Sequence, residues 1–336
     1  MKICMIGGTG LLGSQGAAEL ISRGHEVRAI ALPPLPQGAV LPPEMEISYG
    51  NYLEMNDDEV KKMFDGCEGF VFAAGVDERV EGPAPIYDLY KKYNIDPVKR
   101  LLKIAKECGV KHCVVLGSYF SYFAKARPQM HLTEYHPYIR SRIDQEKVAM
   151  SFADDNFDVA VLELPYIFGT QPGRKPVWVF LVESIRKMPG VTMWPKGGST
   201  MVTVKQVGQA IAGAIERNKG GNCYPIGYYN LTWKEMLEIC HKHLGCPNKK
   251  VITIPDWMYG MAGLVKQQKK DGIQGGLDMI KFTELQCSNQ FIDKELGCVP
   301  LGVEGDDIDS AIGDSVKLCV DILDGKAKNI VAMKGE

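Results

Sequence analysis

The chain has 336 residues, 45% of them hydrophobic and 24% charged, and carries a formal net charge of −2. At roughly 100–200 residues per domain, this length implies one large domain or two intimately joined ones. Near-neutral charge without a basic run argues against nucleic acid or an anionic membrane as partner, and no apolar run approaches the roughly 20 residues that cross a bilayer.

Lys2–Ile6 is a short apolar run that enters a glycine-rich turn and then a helix. Glycines interrupt it so early that it reads as a strand and not as a signal peptide. Gly7, Gly10 and Gly13 satisfy a GxxGxxG spacing, and Gly8, Gly10 and Gly13 satisfy GxGxxG. A tight strand-to-helix turn needs positive φ without a Cβ. A pyrophosphate must also approach the backbone closely and rest on the positive end of the helix. With a strand before and a helix after, the turn predicts dinucleotide binding.

Further strands are predicted at Glu26–Ala31, Met45–Ser48, Gly69–Ala73, His112–Leu116 and Asp158–Leu162. Short apolar runs of this kind suit strands buried on both faces of a parallel sheet. Helical patterns at Leu11–Arg23, Asp57–Phe64, Ile86–Cys108 and Tyr138–Ala153 lie between them. The alternation predicts a doubly wound α/β fold of Rossmann type, with ligand at the carboxyl ends of the strands. After Pro165 glycine, proline and tryptophan become frequent, and helices are predicted at Val177–Lys187, Val204–Arg217, Trp233–Leu244 and Asp306–Leu323. The strand Asn222–Ile226 is placed to return to the main sheet. The expected division is a dinucleotide-binding domain over 1–165, with 200–228 returning to it. Segments 166–199 and 229–330 then form a smaller C-terminal α/β substrate domain. Leu32–Pro43, with five prolines, and Lys266–Gly276 read as loops. The ten cysteines are scattered without a CxxC or metal-ligand spacing, which suits a reducing cytoplasm and predicts no metal site.

Several motifs in order resemble the short-chain dehydrogenase/reductase superfamily, in its extended and atypical branch of epimerases, dehydratases and reductases. Gly7-Gly8-Thr9-Gly10-Leu11-Leu12-Gly13 resembles the cofactor turn. Gly50-Asn51-Tyr52 resembles the segment near the adenine, and Phe72-Ala73-Ala74-Gly75 the strand end under the nicotinamide ribose. Tyr93-Asn94-Ile95 resembles the helix that carries an asparagine. The strand ending in Gly117-Ser118 resembles the one that holds the catalytic serine. Tyr138-Ile139-Arg140-Ser141-Arg142, with Glu146 beyond, resembles the YxxSK helix. Leu164-Pro165-Tyr166-Ile167-Phe168-Gly169 resembles the exit into the substrate domain, and Val202-Thr203-Val204 the later strand-to-helix step.

The resemblance implies an NAD(P)-dependent enzyme with Ser118, Tyr138 and Arg142 as catalytic residues. It implies cofactor contacts from Gly7, Thr9, Gly10, Leu11, Leu12, Gly13, Asn51, Tyr52, Ala73, Ala74, Gly75, Asn94, Tyr138, Arg142, Pro165 and Ile167. It also implies a homodimer built on the helices at Ile86–Cys108 and from Tyr138. The departures are Arg142 for the family's lysine, Ala31 for the acid that holds the adenosine ribose, Asn51 for an aspartate, and Gln206 for an aspartate.

Tyr138 and Arg142 are four apart, so a helix puts them on one face. A phenol titrates near pH 10, and a cation one turn away favours the phenolate. Tyr138 would then give a proton to a carbonyl oxygen in reduction or take one from a hydroxyl in oxidation, with Ser118 orienting that oxygen. Arginine keeps the charge of lysine but not its compact geometry. With no acid at Ala31 and no arginine at Leu32, NAD and NADP both stay open.

Trp178, Phe180, Met193, Trp194, Trp257, Met258, Tyr259 and Met261 give the second half aromatic and sulfur surface. They suit a small apolar or aromatic substrate pocket, the small domain's core, or an oligomer interface. The first reading is hydride transfer between nicotinamide and a ketone or secondary alcohol. One alternative is an epimerase or dehydratase that keeps its cofactor bound and works on a sugar-type substrate. The other is a dinucleotide-binding regulator without turnover. The histidines read as structural, with His136 as a weak candidate for a proton relay.

Overall fold

The computed structural model describes residues 1–35, 37–267 and 272–332. Seven parallel strands form the main sheet: β1 (Lys2–Ile6), β2 (Glu26–Ala31), β3 (Glu46–Tyr49), β4 (Gly69–Phe72), β5 (His112–Leu116), β6 (Asp158–Glu163) and β7 (Gly221–Pro225). Their spatial order is β7-β6-β5-β4-β1-β2-β3. The order reverses between β1 and β4, where Met5 pairs with Ala29 on one side and Val71 on the other. A crevice opens at the carboxyl ends of strands that diverge in this way.

Alternation along β1 explains the two layers of helix. Ile3 and Met5 face a core shared with α1 (Leu11–Ser22) and a helix at Val204–Arg217. Cys4 and Ile6 face the opposite core, built with α2 (Asp57–Met63), α3 (Asp96–Glu107) and the helix Pro137–Met150. Both faces of the strand are therefore apolar, and the sequence reads as an unbroken hydrophobic run rather than an alternating one.

The single long helix expected over Ile86–Cys108 is three pieces. A turn of α-helix at Tyr87–Tyr90 runs into a π-helical stretch at Lys91–Ile95 and then into α3. Pro97 sits in the first turn of α3 and cannot donate to the carbonyl one turn back, so the preceding turn widens. Asn94 lies inside this wide turn, fully buried, and is not an N-cap.

The other longer helices are α4 (Tyr119–Ala126) and α5 (Pro137–Met150), before β6 in the chain, and α6 (Val179–Lys187), α7 (Val204–Arg217), α8 (Trp233–His243), α9 (Asp256–Gln267) and α10 (Ile308–Leu323) after it, with short helical turns at Leu132–Tyr135 and Phe282–Gln286. Strand Gly198–Thr203 pairs with Tyr229–Thr232, Asn289–Gln290 and Tyr166–Phe168. A separate ribbon joins Val191–Pro195 to Lys250–Ile254. Phe168, Trp178, Leu181, Trp233 and Ile312 form the core of this region. Gln206, where an aspartate was expected, closes a capping box with Thr203 at the start of α7 and donates to the Glu304 carbonyl at 2.8 Å.

The loop expected over Lys266–Gly276 is also corrected. Lys266 and Gln267 end α9, and Ile273–Gly275 pairs antiparallel with Glu81–Pro83 rather than forming a loop. That pairing is tertiary, so no local pattern announces it. Residues 268–271 of the expected loop lie outside the described residues. No helix among the described residues is long and apolar enough to cross a membrane.

Candidate active site

The glycine turn is held by backbone contacts that exclude side chains. Gly7 has φ 84°, and a Cβ there would overlap the Ala73 carbonyl oxygen at the end of β4. A Cβ on Gly13 would overlap the Gly7 carbonyl. Gly10 donates its N–H to that same carbonyl at 2.9 Å. The 7, 10, 13 spacing thus forms the turn, while Gly8 packs against Ala29. Leu11 and Leu12 open α1, where helix geometry leaves N–H groups without intrahelical acceptors. The turn fits a dinucleotide's pyrophosphate: close approach is possible, donors converge, and the helix end is positive.

Tyr138 stands in the first turn of α5, after Pro137 at the helix start. It is 3% exposed, and its hydroxyl accepts a hydrogen bond from Arg142 Nε at 3.0 Å. The Arg142 guanidinium is fixed on every side. Nη1 donates to Gln145 Oε1 at 2.9 Å and to the Leu116 carbonyl at 3.5 Å, and Nη2 donates to the Val76 carbonyl at 3.1 Å. Gln145 in turn donates to the Asn94 carbonyl at 2.7 Å. The Asn94 side chain accepts from the Val76 N–H at 2.9 Å and donates to the Val76 carbonyl at 3.0 Å. Asn94 therefore clamps the chain leaving β4, and that chain helps hold the arginine.

Burial pushes the Tyr138 phenol up, Arg142 pulls it back down, and the carboxylates of Glu78 and Asp77 raise it again. Ser118 caps α4, its Oγ accepting from the Phe120 N–H at 3.4 Å. Ser118, Tyr138 and Arg142 all line one cavity of about 400 Å³, and Gly10, Leu11, Leu12, Ala73, Ala74 and Gly75 form its wall on the cofactor side. Pro165 and Ile167 line it as well. Gly7, Thr9 and Gly13 lie behind that surface as backbone supports. Asn51 and Tyr52 stand outside the lining: Asn51 accepts from the Leu53 N–H at 3.2 Å, and Tyr52 packs edge-on against Phe72.

Three residues absent from the sequence reading join the site. Gln145 positions Arg142, as described. Glu78 lines the cavity, and burial, followed by repulsion from Asp77, raises its carboxyl to about 7. Arg174 lines the cavity beside the glycine turn. For Glu78 a signal was present: the charged triplet Asp77-Glu78-Arg79 directly follows a strand's carboxyl end, where such folds place their sites. Trp178 and Phe180 line the cavity, whereas Met193, Trp257 and Met261 are exposed outside it. Glu146, from the helix motif, instead pairs with Lys125 at 2.8 Å. Arg28, within β2, pairs with Glu46 at 3.1 Å on the neighbouring strand.

Replacing Arg142 with lysine should lower unfolding free energy by about 1–3 kcal/mol, because one ammonium cannot satisfy carbonyls at Leu116 and Val76, Gln145 and the phenol together. Urea unfolding of the two proteins measures this.

His136 is fully buried, accepts from the Asp278 N–H at 3.1 Å, and does not line the cavity. Burial holds its imidazole down at about 4, from an ordinary 6.5. The unfolded chain then binds more protons than the folded one between those values, so stability is lost as pH falls through that window. The melting temperature of His136→Gln should fall less than that of the parent between pH 6.5 and 4; equal slopes would refute the assignment.

The fold and the glycine turn are those of a dinucleotide-dependent enzyme built on a Rossmann sheet. The model of the NAD dependent epimerase/dehydratase family matches residues 3–227, and the chain belongs to that family. It is an NAD(P)-dependent enzyme of the extended short-chain dehydrogenase/reductase type, which sets aside the reading as a regulator without turnover. No curated protein matches the sequence. Among solved structures, gox2253 is 18% identical with a TM-score of 0.74, over 97% of this chain and 99% of that one. PA4631, a nucleoside-diphosphate-sugar epimerase from Pseudomonas aeruginosa, is 14% identical with a TM-score of 0.69, over 96% and 98%. The UDP-glucose 4-epimerase from Bifidobacterium longum, solved with NAD+ and UDP, is 15% identical with a TM-score of 0.66, over 97% and 100%. At these identities the likeness is one of fold.

Proposed function

We propose that the enzyme transfers hydride between a nicotinamide dinucleotide and a ketone or secondary alcohol of a small, largely apolar substrate, with Tyr138 as acid and base. The observation that carries this reading is the hydrogen bond from Arg142 Nε to the Tyr138 hydroxyl, inside the cavity that the glycine turn also lines. Bound at the turn, the dinucleotide supplies or accepts the hydride. The donor geometry leaves the Tyr138 proton free to point at a substrate oxygen, because the phenol accepts from Arg142 rather than donating to it. During reduction Tyr138 gives that proton to the developing alkoxide, and Arg142 stabilises the phenolate left behind. Ser118, which follows β5 and lines the same cavity, would donate to the same oxygen. Phe120, Tyr166, Val177, Trp178 and Phe180 supply the apolar wall that supports a hydrophobic substrate.

A second reading, an internal redox cycle on a sugar-type substrate, is favoured by Glu78. Such a cycle requires acid–base groups beyond the tyrosine, and Glu78 is a further carboxyl in the same cavity. The two readings separate in one experiment. The protein is incubated with NADH or NADPH and a panel of aliphatic and aryl ketones, and in parallel with UDP-glucose and catalytic NAD. Stoichiometric loss of reduced-nicotinamide absorbance with a ketone supports the first reading. Isomerisation of the sugar without net cofactor turnover overturns it in favour of the second. A homodimer and a cytoplasmic location belong to the same proposal, supported by the resemblance and by the free cysteines.

A further inference from the structure

The segment after Phe168 leaves the small sheet and crosses back over the mouth of the cofactor turn. Its course is fixed from two sides. Gln171 donates to the Val40 carbonyl at 3.0 Å, reaching the proline-rich stretch after β2. Gly173 and Lys175 pair with Val331 near the other end of the chain, through a bond from the Val331 N–H to the Gly173 carbonyl at 2.8 Å and one from the Lys175 N–H to the Val331 carbonyl at 3.0 Å. Between these anchors stands Arg174. Its Nη2 donates to the Thr9 carbonyl, inside the glycine turn, at 3.4 Å. Its Nε is buried and has no hydrogen-bond partner among the described residues. No carboxylate among those residues pairs with it, and burial alone lowers its proton affinity. An arginine that is partly desolvated without a counter-charge is costly. The cost is relieved when an anion enters the cavity that the guanidinium lines.

We propose that Arg174 is a phosphate ligand of the bound dinucleotide, reaching the glycine turn from outside the nucleotide-binding half of the chain. The inference rests on the dinucleotide reading of that turn. The chemistry is that of a planar guanidinium fork on phosphate oxygens. The guanidinium would add its donors to the N–H groups at the start of α1, since Arg174, Gly10 and Leu11 line the same cavity. The same fork could serve the pyrophosphate shared by both cofactors or the 2′-phosphate of NADP alone. Position beside Thr9 and Gly10 favours the pyrophosphate.

The test is direct binding of NADH and NADPH, by calorimetry and by thermal shift, to the parent protein, Arg174→Gln and Arg174→Lys. Charge-assisted bonds of this kind correspond to an affinity loss of roughly tenfold to a hundredfold in Arg174→Gln. Equal loss for NADH and NADPH assigns the pyrophosphate, and loss confined to NADPH assigns the 2′-phosphate. Arg174→Lys should recover part of the affinity, because charge returns without the fork. Without ligand, Arg174→Gln should melt at the same temperature as the parent or higher, since an unpaired cation has been removed. A residue with only a structural role would instead lower it. Parent-like affinity for both cofactors in a folded Arg174→Gln protein overturns the proposal. Failure of the parent itself to bind either cofactor would overturn the dinucleotide reading beneath it.

Discussion

Tyr138→Phe should reduce turnover by roughly 10²- to 10⁴-fold while leaving dinucleotide affinity unchanged, since that is the range a positioned acid or base contributes. The substitution removes one oxygen and keeps the ring that packs on Tyr90 at 5.4 Å and on Phe120 at 6.3 Å. The Arg142 Nε then loses its acceptor, so a modest fall in melting temperature is also expected. Arg142 itself stays in place, because Leu116, Val76 and Gln145 still hold its other nitrogens. Cofactor affinity therefore serves as the internal control. Steady-state rates on a substrate found by the ketone panel, set beside calorimetric binding, measure both quantities. Persistence of more than about a tenth of the parent kcat would remove Tyr138 from the mechanism, because general acid–base catalysis is worth far more than that.

Gly13→Ala should abolish measurable cofactor binding and destabilise the protein by about 3 kcal/mol, the upper end of ordinary overpacking. The added methyl meets the Gly7 carbonyl carbon and oxygen and the Gly8 Cα, all of them backbone. No side chain can rotate away, so α1 must withdraw from the end of β1. Withdrawal separates the Leu11 and Leu12 N–H groups from the turn that shapes the phosphate site. By contrast, Gly24→Ala meets only open space, although its positive φ of 84° still strains it. Its defect should appear in stability alone. Comparison of the two variants in denaturant melts and NADH titrations separates a damaged site from a generally weakened fold.

The main sheet was legible because its signals are local. β1, β4 and β5 are apolar runs bounded by turn residues, and the start of α7 follows from its Thr203 and Gln206 cap. The Tyr138–Arg142 contact was legible because four-residue spacing on a helix puts the two on a shared face. What lay hidden depends on partners distant in sequence. The pairing of Ile273–Gly275 with Glu81–Pro83 joins segments far apart in the chain. Glu78 carries a local charge signal, but its burial depends on elements that sequence proximity does not reveal. Arg174 is one arginine among glycines and prolines until the backbone brings it to Thr9. Asn94 was found by its motif, yet its clamp on Val76 needed the wide turn ahead of Pro97 to become visible.

The pairing of α1 with α7 has a consequence for synthesis. Ala17 and Leu20 bury themselves against a core that includes Val207, Ile211 and Ile215, and the two helices are separated by about 180 residues of chain. On a ribosome adding about 5–20 residues per second, α1 waits on the order of ten seconds or longer for its partner. Until then the face of β1, β2 and β4 that carries Met5, Ala29 and Val71 has α1 on it but lacks the cover of α7. A truncated chain ending at residue 165 would hold the nucleotide turn, the tyrosine and the arginine, yet remain unable to close the layer beneath them. Folding of this enzyme is thus governed by non-local contacts, and its first half matures only when the second half has been made.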